Sequence, residues 1–153
     1  MKLTDGILRV ALTGVYQLRR MGWFVSRPRT FGAHALALTP ERKLILVRLR
    51  YVPGWRLPGG GRGESEDAVS AGLRELREEI GMISHGAVRL GAELEQRPHR
   101  RRDLVSLLIV EDVRYRPRWS WEIERVIEVP LDDLPAGVAP VAAEWIAALR
   151  QHL

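Results

Sequence analysis

The residues best suited to chemistry are three glutamates, Glu75, Glu78 and Glu79, in the stretch GGGRGESEDAVSAGLRELREEIGM from Gly59 to Met82. On a helix, Glu75, Glu78, Glu79 and Met82 fall at i, i+3, i+4 and i+7, so they share one face. Val69, Leu73, Leu76 and Ile80 form an apolar stripe roughly 140° away around the same helix. The spacing predicts one face packed into a core and an opposite face presenting carboxylates to solvent. Like charges so placed repel by roughly a few tenths of a kcal/mol per pair, which Arg74 and Arg77 partly relieve. Two readings follow. One is a solvated, salt-bridged helix face. The other is a divalent-cation site, because hard cations need clustered carboxylate oxygens.

The preceding loop separates the two. Gly54, Gly59, Gly60, Gly61 and Gly63 surround Trp55, Arg56, Leu57 and Pro58. Such a loop lets backbone carbonyls and N–H groups come close to a metal or a phosphate. A glycine-rich loop alone is usually a turn; one feeding a three-carboxylate helix face is far more specific. The whole stretch resembles the Nudix box of the Nudix (MutT-like) hydrolases. Gly60 is its opening glycine and Glu66 its first glutamate. Arg74, Glu75, Leu76, Glu78, Glu79, Gly81 and Met82 fill the rest without a gap. Trp55-Arg56-Leu57-Pro58-Gly59-Gly60 is similar to the family's lead-in. In many relatives the first glutamate directly follows a glycine. Here Gly63-Glu64 stands two residues earlier, so Glu64 is the alternative to Glu66.

The resemblance covers roughly residues 31–150 and implies an α/β (α+β) fold, an α/β/α sandwich around a mixed β-sheet, to which helical spacing near the N-terminus adds an extra helix. It implies hydrolysis of a nucleoside diphosphate linked to another group, by water attack at phosphorus. Mg²⁺ or Mn²⁺ would be held by Glu78, Glu79 and Glu75, with the Gly59 carbonyl as a further ligand. Relatives often supply another acidic group from a late strand, here Glu122 first and Glu124 second. Glu75 is the expected base among box residues, and Arg74 would orient the carboxylates. Arg48, Arg50, Trp55, Gly60 and Gly61 are the expected substrate contacts. Oxidised nucleoside triphosphates, sugar nucleotides, ADP-ribose and dinucleoside polyphosphates are all open as substrates. The alternative is a nucleotide-binding or regulatory module on the same fold with little catalysis.

Composition sets the outer limits. A chain of 153 residues, 46% hydrophobic and 28% charged, suits one soluble globular domain. The absence of cysteine excludes disulfides and thiolate metal sites, and fits a reducing cytoplasm. The net charge of +5 is unevenly spread: residues 59–82 carry six acidic and three basic side chains. An acidic patch in a basic protein suits a cation between carboxylates and an anionic substrate. Basic character alone would also suit nucleic acid, but no recognition helix or RNA-binding motif is present.

The expected organisation is an N-terminal helix and connection over residues 1–30 and the hydrolase domain over 31–153. Ile7, Leu8, Ala11, Leu12, Val15 and Leu18 keep helical spacing, with Thr4 or Asp5 as cap. This helix is expected to pack on the domain or on a second subunit, making a homodimer. A membrane-surface helix flanked by Lys2, Arg9, Arg19 and Arg20 is the alternative; the run is too short and too charged for a span. Strands are predicted at 31–39 and 43–51, paired through a turn at 40–42, and at 88–96 and 104–113. His34 is read as a core or face residue and His99, in the basic stretch 97–103, as a candidate base. Arg48 and Arg50 should share one strand face. Trp55 is weighed between stacking on a base and packing. Residues 138–151 read as a closing amphipathic helix through Val141, Trp145, Ile146 and Leu149.

Overall fold

The computed structural model describes residues 2–26, 29–98 and 102–153. Helix α1 (Lys2–Ser26) is followed by strands β1 (Arg29–Ala37), β2 (Leu44–Leu49), β3 (Trp55–Arg56) and β4 (Gly59–Gly61). Helix α2 (Ala68–Ile80) leads to β5 (Met82–Ser84), β6 (Val88–Gln96), β7 (Arg102–Val110), β8 (Arg114–Tyr115) and β9 (Ile123–Val129). Helix α3 (Pro140–Arg150) closes the order.

The strands alternate between two cores. Leu36, Leu38, Leu44, Leu46, Leu107 and Ile109 point into one, which α3 completes with Trp145, Ile146 and Leu149. Their neighbours Ala35, Ala37, Ile45, Val47, Leu108 and Val110 point into the other, completed by Leu76 and Ile80 of α2. A strand buried on both faces reads as a continuous apolar run, because its period of two is filled on both sides. The layers are therefore helix, sheet, helix, as the family resemblance implies. One sheet runs β4-β1-β7-β6, with β1 parallel to β7 and the other pairs antiparallel; a second runs β3-β2-β9.

The expected hairpin between the first two long strands does not form. Both edges of β1 are taken, by β4 and by β7, and β2 pairs with β3 and β9 in the other sheet. The predicted turn at 40–42 is present, closed by the Thr39 N–H donating to the Lys43 carbonyl at 2.9 Å, but the pairing beyond it goes no further than an isolated bridge, Leu38 to Leu44. Helix α1 begins at Lys2, so Asp5 lies in its first turn instead of capping it. Its predicted packing stripe is also shifted: Ile7, Val15 and Leu18 are exposed, and Leu8, Leu12 and Tyr16 are partly covered. None of the described helices is long and apolar enough to cross a membrane.

Helix α2 is fixed at both ends. The Asp67 carboxylate accepts from the Ser70 N–H at 2.9 Å, the usual N-cap arrangement. Gly81, with φ 72°, ends the helix and donates to the Leu76 carbonyl. Met82 therefore leaves the carboxylate face on which its spacing placed it and starts β5, where it is buried.

His34 on β1 is a packed residue, as its position in an apolar strand suggests. Its ring lies 4.7 Å from that of Trp145, and its Nδ1 is buried without a hydrogen-bond partner. Burial lowers its pKa from 6.5 to about 4, against a smaller opposing pull from the Leu57 carbonyl. Between those two values the unfolded chain takes up a proton that the folded chain refuses, so stability falls as pH drops through that window. Urea unfolding in metal-free buffer is expected to show this loss, up to about 3 kcal/mol, and His34→Gln is expected to remove that part of the slope. An unchanged slope in the variant would assign the acid sensitivity elsewhere.

Candidate active site

The second half of α2 faces the glycine strand β4, and that approach builds the site. Gly60 lies against the Glu75 carboxylate so closely that a Cβ there would stand 2.7 Å from Glu75 Oε2. Any larger residue at Gly60 would have to push that carboxylate from its place under the strand. The Gly59 N–H donates to Glu79 Oε2 at 2.8 Å, tying the helix to the strand a second time.

Arg74 organises the acidic groups. Its Nη1 donates to Glu75 Oε1 at 2.8 Å, its Nε to Glu66 Oε1 at 3.2 Å, and its Nη2 to the Gly61 carbonyl at 3.1 Å. Glu78 Oε2 is 3.5 Å from the same guanidinium. Glu66 also accepts from the Gly63 N–H at 3.0 Å, and these bonds hold its carboxyl below the usual range. Of the two candidates for the first box glutamate, Glu66 is the one joined to Arg74.

The carboxylate face is less solvated than the sequence suggests. Glu75 is buried, Glu79 half-buried and Glu78 exposed. These three, with Glu122 and the backbone of Gly59, Gly60 and Gly61, line one cleft of about 370 Å³. Burial raises the Glu75 carboxyl despite the pull of Arg74. Glu79 is pushed up to about 8, by burial first; the Gly59 N–H opposes this, and Glu75, Glu122 and Glu78 add to the rise. The cleft thus crowds four carboxyl groups where burial and mutual repulsion disfavour their all being ionised together. A hard divalent cation is the natural counter-charge, since it takes six to eight oxygens for calcium and about six for magnesium. Among the described residues no three acidic or histidine side chains are already gathered into a cage. Glu75 is engaged by Arg74 and Glu79 by Gly59, so these carboxylates are held within the cleft by partners of their own.

Other predicted residues are placed elsewhere. Arg48 and Arg50 line a different hollow, together with Arg9 and Glu124. Arg48 lies 4.3 Å over the Trp55 ring, and Arg50 donates to Asp5 and to the Ser120 carbonyl. Trp55 is 6% exposed in the core beneath α3, so it offers no free face to a base. Glu124 pairs with Arg9 of α1, which leaves Glu122 as the late-strand acid of the cleft. His99 and much of the basic tip lie outside the described residues. Tyr51 and Ser120, from two of the loops in which the resemblance places substrate specificity (51–56 and 114–121), also line the cleft, as do Arg19 and Leu49, which were not anticipated from sequence. The Tyr51 hydroxyl is pushed up to about 12, by burial and then by the nearby Glu122 and Glu79 charges. Leu49 could be suspected from its place between a strand end and the glycine loop. Arg19 carries no local signal.

A NUDIX domain model matches residues 28–149 of the chain. The chain belongs to the NUDIX family. A Bacillus subtilis (strain 168) protein, provisionally named an 8-oxo-dGTP diphosphatase, is 36% identical over 69 residues, which is 45% of this chain and 45% of that protein. The aligned part thus spans about half the length of that relative. Among solved structures, the MutT NUDIX hydrolase of Burkholderia pseudomallei superposes with a TM-score of 0.67 at 20% identity, covering 79% of this chain and 98% of the other. The bifunctional NMN adenylyltransferase/ADP ribose pyrophosphatase of Francisella tularensis, complexed with AMP and a manganese ion, gives 0.64 at 15% identity, covering 92% and 47%. These similarities establish the fold of the NUDIX chain.

Arg74 is the cation that Glu66 and Glu75 of this Nudix box share. Arg74→Ala leaves the buried Glu75 without its ion-pair partner. The expected loss is about 1–3 kcal/mol in urea unfolding, toward the lower end because Arg74 is partly exposed. Arg74→Lys keeps the charge but not the fork, and should fall between. Equal stability of all three proteins would show that the network contributes nothing to folding.

Proposed function

We propose that this chain is a divalent-metal-dependent hydrolase of a diphosphate linkage, acting on a nucleoside diphosphate joined to another group. One observation carries the reading. Glu75, Glu78, Glu79 and Glu122 converge on one cleft beside the glycine strand, with burial and mutual repulsion pushing Glu79 up to about 8. The residues fit Mg²⁺ or Mn²⁺, held by Glu78 and Glu79 with Glu75, Glu122 and the Gly59 carbonyl. When bound, the cation polarises phosphoryl oxygens and lowers the pKa of a coordinated water.

The chain's own groups do the rest. Gly60 and Gly61 leave their backbone open on the cleft wall for a phosphate to approach. Arg74 holds Glu75 in one orientation through the bond to Oε1. Glu75, whose proton affinity is raised by burial, takes the proton of the attacking water. Residues 1–30 form the helix and connection in this reading, and 31–153 the hydrolase domain. The names of the relatives, an 8-oxo-dGTP diphosphatase and an ADP ribose pyrophosphatase, support a nucleotide diphosphate derivative as substrate class. The lack of cysteine agrees with a cytoplasmic setting.

Phosphate or pyrophosphate release from a panel of nucleoside diphosphate derivatives tests the reading, with Mg²⁺, with Mn²⁺ and with chelator. Cleavage of at least one compound, abolished by chelator, is expected. Glu78→Gln should lower kcat by about two orders of magnitude or more, the scale expected when metal chemistry is lost. Its unfolding midpoint should stay near that of the parent, because the Glu78 side chain is 59% exposed. Normal turnover in this variant would remove Glu78 from the metal site.

A further inference from the structure

Helix α1 lies outside the residues, 28–149, that match the family model. Three contacts spread over about three turns fix how it sits. Asp5 accepts from Arg50 Nη1 at 3.0 Å, Arg9 donates to Glu124, and the Tyr16 ring lies 5.7 Å from that of Tyr51. Two of these partners, Arg50 and Tyr51, directly precede the glycine loop, and Glu124 follows Glu122 by two residues. The helix is therefore clamped to the two segments that frame the carboxylate cleft.

That clamp delivers Arg19 to a junction. Arg19 lines the carboxylate cleft with Glu75, Glu79 and Glu122. It also lines a more apolar hollow with Leu12, Tyr16 and Tyr51. And it lines a third, basic hollow with Arg29, Arg62 and Phe31. The carboxylate cleft and the basic hollow share Gly60 and Gly61 as well as Arg19, so they adjoin at the glycine strand. One side of the strand gathers carboxylates and the other gathers guanidinium groups. A cation-bound phosphate chain lying across that boundary would meet both.

The geometry points to Arg19 as a substrate-binding residue, which grips a phosphate of the diphosphate substrate and makes α1 a specificity element of the site. This inference rests on the hydrolase reading. An arginine on a helix surface is ordinarily a solvated charge. Here its helix is pinned at three points, and the side chain borders the only stretch of backbone common to the acidic and basic hollows among those described. Planar bidentate donation to phosphate is what a guanidinium supplies and an ammonium does not.

Inorganic pyrophosphate, titrated calorimetrically in Mg²⁺ buffer, isolates this role from turnover. Arg19→Ala is expected to weaken binding at least about tenfold. Arg19→Lys should retain an affinity between the two. Arg150→Ala, which removes the same charge from α3, should bind within about twofold of the parent. Circular dichroism and unfolding midpoints check that each variant is folded. On any substrate cleaved in the panel, Arg19→Ala should raise KM with kcat changed by less than about threefold. Unchanged or tighter pyrophosphate binding in Arg19→Ala, no binding by the parent, or an equal loss in Arg150→Ala would overturn the assignment. A parent protein that binds pyrophosphate through Arg19 but cleaves nothing would instead sink the hydrolase reading and leave Arg19 as a phosphate contact.

Discussion

The site depends on how closely α2 can approach β4. If the helix stood farther away, the Gly59 N–H would lose Glu79 and the Glu75 carboxylate would lose its seat against Gly60. The approach is set from behind by the core, where Leu76 and Ile80 are fully buried against the strands. Burying such side chains supplies about 1.5–3 kcal/mol each. That is enough to hold acidic groups in places where desolvation works against them. Packing on one side of the helix is thus what makes unusual carboxylates possible on the other.

The charges form a graded arrangement and not a simple acidic patch. Glu66 is stabilised as a carboxylate by Arg74 and the Gly63 N–H. Glu75 is caught between burial and the same arginine, and Glu79 has only a backbone N–H against burial and three like charges. Along this series proton affinity rises as cationic support runs out. Arg74 satisfies the Glu66 and Glu75 end of this series, and the unmet demand for positive charge lies at Glu79.

Much of this was legible in the sequence, for definable reasons. The box helix announces itself by an apolar stripe, a glycine stop and fixed glutamate spacing. Strands β1, β2 and β7 show as apolar runs because both their faces are buried. Their pairing was hidden, since an apolar run says nothing about which neighbour takes each edge. Short strands such as β3 and β4 are too brief to show a period. Alternation placed Arg48 and Arg50 on one face, but an irregular register at Arg48/Leu49 and the bonds to Asp5 and Ser120 decide where they go. Trp55 looked available because a glycine loop surrounds it, yet the parallel bridge to Val138 draws it beneath α3. Arg19 could not be anticipated, because its place follows from contacts made by residues far away in the chain.

The parallel pairing of β1 with β7 also governs when the molecule can take shape. Thr30 and Asp103 are hydrogen-bonded partners 73 residues apart, and every pair in that ladder has the same separation. During synthesis β1 leaves the ribosome long before β7 exists, and β2 waits longer still for β9. Proteins dominated by such distant pairings fold slowly, because chain closure must precede the contacts that reward it. The box helix can form early from its own caps, but its carboxylates have no cleft until the last third of the chain arrives. A nascent chain stopped before residue 102 would hold all the box residues and the β1–β4 pair, but neither β7, which joins β1 to β6, nor β9.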